Sequence, residues 1–263
     1  EIKMTFWPGG LRASGPKRAP KTRQVVIVGG SCMQGMALSD EETFGWKLQE
    51  ALPEVEVVNA GVGAYGTYQS LLTLERLSAT WKQPPELVIY GFPTFHGLRN
   101  VAHHAWLANL LNGGEQGTHV KTPYCLMREG KLTRFPPEGY SDWPLRGSLA
   151  SVACLEKAWM RFYSRERRDM QFDVTQGLLL EMSELCKRHG SKLLVMEIGT
   201  NPKLTPRYET FFKAEGIPYV DVSAHLTDPE YRVPGEGHPN GRNNLHWVEG
   251  TLPVAKGLLA RGK

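Results

Sequence analysis

Residues 24–35 read Gln-Val-Val-Ile-Val-Gly-Gly-Ser-Cys-Met-Gln-Gly. A short β-branched apolar run that stops at two glycines has the pattern of a strand buried on both faces of a parallel sheet. The serine that follows enters a helical stretch. Four further runs share the pattern: Val55–Asn59, Glu86–Phe92 behind Pro84-Pro85, Lys192–Ile198 and Tyr219–Val222. Helical periodicity fills the intervals. One helix carries Phe44, Trp46, Leu48 and Leu52 behind a cap at Ser39 or Asp40. Another carries Tyr68, Leu71, Leu72, Leu74 and Leu77. A third runs from Phe172 to Cys186 and ends before Gly190, and a last one is capped by Asn240 and kinked or split by Pro253. Strand and helix alternating at this spacing predict an α/β chain with right-handed crossovers. The fold expected is a mainly parallel sheet of five strands with helices on both faces.

One interval breaks the rhythm. About a hundred residues separate the third and fourth strands, more than a crossover helix needs. They are read as an insertion at about 98–170, with a helix over Val101–Leu111, a break at Gly113-Gly114, a hairpin over Tyr124–Phe135 turning at Glu129-Gly130, and a helix over Leu149–Phe162. Such an interval is where a substrate surface is expected. Residues 1–23 read as an extended lead-in or linker, and 24–263 as a single domain.

Composition narrows the classes. The 263 residues are 41% hydrophobic, too many for a disordered chain, and no apolar run is long enough to span a bilayer as a helix. The net charge of +4 is modest and its excess local: Arg12, Lys17, Arg18, Lys21 and Arg23, then Arg165, Arg167 and Arg168. No aromatic residues interleave with them to make a stacking surface, so they are read as solvated and no nucleic-acid partner is expected. Cys32, Cys125, Cys154 and Cys186 show no metal spacing, and a Cys125–Cys154 disulfide stays open. Neither a metal nor a cofactor is called for.

Ligands of open α/β sheets bind beyond the carboxyl ends of the strands. Ser31 lies there as a potential nucleophile whose own N–H could steady an oxyanion; a capping serine is the plainer alternative. After the second strand comes the glycine-rich loop Asn59–Gln69, with backbone N–H groups to offer. After the third comes His96. Near the C-terminus, Gly235-Glu236-Gly237-His238-Pro239-Asn240 sets a carboxylate two residues before a histidine, on the same face if the backbone is extended. Glu236 could then hold the ring of His238 in one tautomer while the other nitrogen faces a nucleophile.

Taken in order, these blocks resemble the SGNH (GDSL-type) hydrolases. Val25–Gly35 is similar to the serine block, Asn59–Gln69 to the glycine block and Gly237–Asn240 to the terminal histidine block, and together they span 26–246. The resemblance implies a three-layer αβα sandwich around a mainly parallel, flavodoxin-like sheet, with Ser31 as nucleophile, His238 as general base and Glu236 as its acid, Asp228 being the fallback. It implies an oxyanion hole built from the N–H groups of Ser31 and of Ala64 or its neighbour Gly63, with His96 in place of the family's asparagine. Four positions depart from the family pattern: Gly30 replaces an aspartate, Ala64 a glycine, His96 the asparagine, and Gly235 stands where the acid usually lies.

The activity this implies is a serine-dependent ester hydrolase that removes acetyl or another short acyl group from a saccharide or polysaccharide. An O-acetyltransferase would use the same nucleophile and pass the acyl group to a sugar hydroxyl. The four departures also admit a non-catalytic carbohydrate-binding module. Trp106, Tyr124 and Trp143 could supply a sugar platform, although core packing explains each of them as well. The start at Glu1 and the family's work on envelope polysaccharides point to an exported, periplasmic or cell-envelope protein, with a membrane tether possible outside the present chain.

Overall fold

The first predicted strand forms over Gln24–Gly29, and the sheet grows outward from it. The computed structural model describes residues 1–18, 20–113 and 120–260. In chain order its strands are β1 (Phe6–Trp7), β2 (Leu11–Arg12), β3 (Gln24–Gly29), β4 (Glu56–Asn59), β5 (Leu87–Pro93), β6 (Thr122–Arg128), β7 (Lys131–Glu138), β8 (Lys192–Gly199) and β9 (Tyr219–Asp221). Its helices are α1 (Ser31–Gln34), α2 (Phe44–Ala51), α3 (Thr67–Ser78), α4 (His96–Asn100), α5 (His104–Gly113), α6 (Ala150–Tyr163), α7 (Arg165–Arg188), α8 (Thr205–Ala214) and α9 (Gly241–Ala260). None of these helices is long and apolar enough to cross a membrane. The chain divides into two units: Glu1–Thr94 with Leu179–Lys263, and Phe95–Leu178, whose end falls inside α7.

In the first unit the strand order is β1-β2-β4-β3-β5-β8-β9. The five expected strands pair in parallel. Val25, Ile27, Leu87, Ile89, Leu194 and Met196 pack with Phe44, Leu48 and Leu52 of α2 and Trp247, Val248 and Leu259 of α9. On the other face the Tyr90 hydroxyl meets Thr67 of α3 at 2.9 Å, and the Phe92 ring lies edge-on to Tyr208 of α8. Residues on both faces are buried, which is why the strands read as unbroken apolar runs. Each such side chain contributes roughly 1.5–3 kcal/mol by leaving water.

The lead-in is not a linker. Phe6–Trp7 and Leu11–Arg12 form an antiparallel hairpin that joins the sheet edge at β4, through Arg12 opposite Asn59. Of the basic cluster Arg12, Lys17, Arg18, Lys21 and Arg23, four find specific partners, which corrects the solvated reading for them, while Lys17 lies exposed. Arg12 is wholly buried against Asp40, Arg18 pairs with Glu56 at 2.8 Å, Arg23 with Glu86 at 2.6 Å, and Lys21 donates to the Pro53 carbonyl. Composition marks such a stretch as basic but cannot show that a sheet edge supplies carboxylates and carbonyls at matching positions. The cap of α2 also moves: Ser39 and Asp40 open a short 3₁₀ turn, and the Thr43 hydroxyl accepts from the Trp46 N–H at 3.3 Å. Asn240 caps α9 as expected, accepting from Arg242 and Asn243, and the helix continues through Pro253.

The second unit, Phe95–Leu178, encloses the interval read as the insertion. Strands β6 and β7 pair as a hairpin over Glu129-Gly130, both with positive φ (51° and 74°), as a two-residue primed turn requires. Arg167 clamps Glu138 with two hydrogen bonds of 3.1 and 2.8 Å, so it too is engaged rather than merely solvated. Buried Glu156 of α6 accepts from the Tyr140 hydroxyl and the Trp143 N–H, both at 2.6 Å. Gly114 of the expected break lies outside the described residues. All four cysteines are thiols, so the Cys125–Cys154 disulfide is not formed.

Candidate active site

Strand β3 delivers Ser31 to the carboxyl edge of the sheet. Gly30 is extended (φ −85°, ψ −157°), and its carbonyl accepts from the N–H groups of Met33 and Gln34, each at 3.0 Å, so the helix begins at Ser31. The side chain of Met33 seats beneath the turn. A Cβ at Gly29 or at Gly91 of β5 would lie 2.5 Å from it, so both glycines leave room for that methionine. Gly35, at φ 73°, closes the turn. Ser31 is 9% exposed, and its N–H, at the first helical position, has no partner among the described residues.

The glycine-rich loop is tied to this turn. Buried Asn59 donates through Nδ2 to the Met33 carbonyl at 2.8 Å and accepts from the Gly61 N–H at 3.0 Å. A Cβ at Gly61 would lie 2.6 Å from the Gln34 nitrogen and 2.7 Å from the Met33 carbonyl carbon, so the close approach of loop and turn requires glycine there. The Gly63 N–H donates to Gln34 Oε1 at 3.0 Å. That bond corrects the reading of Gly63 as an oxyanion donor, because its hydrogen is already committed. Ala64 adopts a left-handed conformation (φ 67°) that only glycine takes without strain, is exposed, and gives its N–H to none of the described residues.

His238 arrives from a tightly bonded loop. Its carbonyl accepts from the Val233 N–H at 2.8 Å, and the Arg232 side chain donates to the Gly237 carbonyl at 2.8 Å. Gly235 and Gly237 have φ of 76° and 90°, the left-handed bends that bring residue 236 back toward residue 238. One Glu236 oxygen accepts from the His238 backbone N–H at 2.8 Å and the other lies 2.5 Å from Nδ1. Nε2 lies 2.9 Å from Ser31 Oγ. With Glu236 accepting from Nδ1–H, the Nε2 lone pair is left to accept the serine proton.

Ser31, His238 and Glu236 therefore converge. Asp228 does not join them: it caps a short turn by accepting from the Glu230 N–H at 3.0 Å and lies 4.0 Å from His225. His96 opens α4 in the second unit, fully enclosed, where burial and then the charge of Arg99 hold its imidazole well below the ordinary value and hence neutral. Met33, Gln34 and Asn59 stand in the quoted blocks, but nothing in the sequence marks their supporting roles: Met33 acts by packing, and the side chains of Gln34 and Asn59 bond to backbone rather than to substrate.

No family model matches the sequence, and no curated protein does either. Solved structures do. The psychrotrophic esterase EstA from Pseudoalteromonas sp., in a structure inhibited by monoethylphosphonate, aligns with a TM-score of 0.54 at 11% identity, covering 90% of this chain and 99% of its own. A member of the lipolytic G-D-S-L family from Veillonella parvula aligns with a TM-score of 0.52 at 11% identity, over 89% and 98%. TesA aligns with a TM-score of 0.51 at 18% identity, over 90% and 99%. At these identities the likeness is one of fold.

Proposed function

The chain has the fold of the SGNH hydrolases, and on that premise we propose that it is a serine-dependent ester hydrolase acting on acetyl or other short acyl groups of a saccharide or polysaccharide. The observation that carries the proposal is the relay Glu236–His238–Ser31, with 2.5 Å and 2.9 Å between successive members. His238 Nε2 takes the proton of Ser31 Oγ as the oxygen attacks the ester carbonyl. The imidazolium that forms is steadied by the Glu236 carboxylate. The N–H groups of Ser31 and Ala64 are the backbone donors offered to the oxyanion. Collapse of the tetrahedral intermediate breaks the bond to the sugar oxygen, which leaves with the proton from Nε2. Water then repeats the sequence on the acyl-enzyme and releases the acid. An acylated saccharide fits an exported protein of the periplasm or cell envelope.

The test is direct. Ser31→Ala should lower turnover of an activated acetyl ester by on the order of 10⁴-fold or more. A phosphonate, the class of reagent that inhibits EstA, should add to Ser31 of the wild type and not to the variant. Undiminished hydrolysis by Ser31→Ala would sink the assignment, and folded wild type that resists phosphonylation would favour a binding module. Mass spectrometry of acetylated oligosaccharide incubated with a second, unacetylated saccharide separates hydrolysis from transfer, since only transfer acylates the acceptor.

A further inference from the structure

We propose that Arg12, carried in by the N-terminal hairpin, is a positioning residue for the nucleophile; the proposal rests on the Ser31-dependent hydrolysis argued above. Its side chain is completely buried. Nε donates to the Gln34 carbonyl at 3.2 Å and one terminal nitrogen to the Leu38 carbonyl at 2.9 Å. The other donates to Asp40 Oδ1 at 2.5 Å and to the Thr5 carbonyl at 3.4 Å.

The Gln34 bond matters most. Gln34 is the last residue of the four-residue helix that opens with Ser31, and a helix that short cannot hold itself. Its terminal carbonyls need outside partners, and Arg12 supplies one. The Gln34 side chain in turn fixes the Gly63 N–H, next to Ala64. Through one residue, then, Arg12 reaches both the nucleophile turn and the loop that bears the second oxyanion donor. Its backbone reaches them by another route: Arg12 pairs with Asn59, whose amide bridges the Met33 carbonyl and the Gly61 N–H. A salt bridge with Asp40 alone would need only a point charge. Serving Gln34, Leu38 and Asp40 at once needs the planar fork of a guanidinium, which an ammonium lacks.

A shift of about 1 Å in a reacting group can cost on the order of 10²-fold in rate. Arg12→Lys is accordingly expected to lower kcat on an activated acetyl ester by about 30-fold, with KM within about threefold, and to slow phosphonylation of Ser31 in parallel. Asp40→Asn removes the charge partner but leaves the bonds to Gln34 and Leu38, and its kcat should stay within about threefold of wild type. Thermal unfolding of both variants is measured alongside. Wild-type kcat in Arg12→Lys, or kcat falling equally in both variants in step with their melting temperatures, would overturn the proposal and leave Arg12 a structural residue. Should Arg12→Lys not fold, Arg12→Met combined with Asp40→Asn removes the buried pair together, and the same loss of kcat without loss of KM is expected. Wild type that is not phosphonylated at Ser31, or Ser31→Ala that still hydrolyses, overturns the reading of the site itself and this proposal with it. That failure is read without any Arg12 variant.

Discussion

His238 Nε2 stands 2.9 Å from Ser31 Oγ across 207 positions of sequence, and the carboxylate behind the ring belongs to Glu236. The acid lies two residues before the histidine because Gly235 and Gly237, both with positive φ, fold the intervening backbone so that one carboxylate grips both the His238 N–H and its Nδ1. Glu236→Gln removes the charge that stabilises the imidazolium and should lower kcat by about 10²–10³-fold, less than a buried acid would cost because Glu236 remains partly exposed. Asp228→Asn should leave kcat within about twofold, since among the described residues Asp228 serves a cap and a long contact with His225. The reverse ranking in steady-state kinetics would reassign the acid.

Ala64 occupies a conformation that costs an L side chain roughly 1–2 kcal/mol, partly offset because alanine loses less chain entropy on folding than glycine does. Ala64→Gly should therefore raise unfolding stability by up to about 1 kcal/mol while preserving the N–H offered to the oxyanion. Turnover within about twofold of wild type, together with a higher urea midpoint, is the expected result. A fall in stability would mean that the left-handed conformation carries no strain at this position.

The parts of this protein that could be read from sequence are those whose signal is local. The five parallel strands are legible because burial on both faces leaves only apolar residues, as Val25–Val28 and Leu87–Ile89 do. Ser31 and His238 are legible because each follows a glycine turn at a strand or helix end. Arg12 is not, because a buried arginine and a solvated one have the same letter, and only the approach of Asp40 and the Gln34 carbonyl separates them. The Gly63 N–H is hard to read for a related reason: it is available until Gln34, twenty-nine positions away, takes it. Long-range pairing decided both, and periodicity carries no information about it.

Gly61 tests how tightly loop and turn are coupled. An added methyl would press on the Gln34 nitrogen at 2.6 Å and on the Met33 carbonyl carbon at 2.7 Å, which are backbone atoms that cannot rotate away. Gly61→Ala must push the turn that bears Ser31, and turnover should fall by about 10²-fold, with about 1–3 kcal/mol of stability lost to overpacking. Circular dichroism melts and kcat together read this out. Unchanged values in both would show that the loop moves freely against the nucleophile turn.

Glu197 interrupts the apolar run of β8 with a carboxyl that is wholly buried. Burial first, and then the charges of Asp221 and Glu209, push its carboxyl up to about 7 from an ordinary value of 4.5, against a smaller opposing pull from a hydrogen bond with Thr205. Between those two values the native state holds a proton that the unfolded chain has released. Stability must therefore fall as pH rises through this window, and above about 7 the loss is complete and constant. The whole effect is on the order of 3 kcal/mol. Glu197→Gln cannot ionise, so its urea-unfolding free energy should decline less than that of the wild type between acidic and mildly alkaline buffer. The variant should gain on the wild type most above the upper value. Parallel curves for the two proteins would show that Glu197 is not the group that titrates.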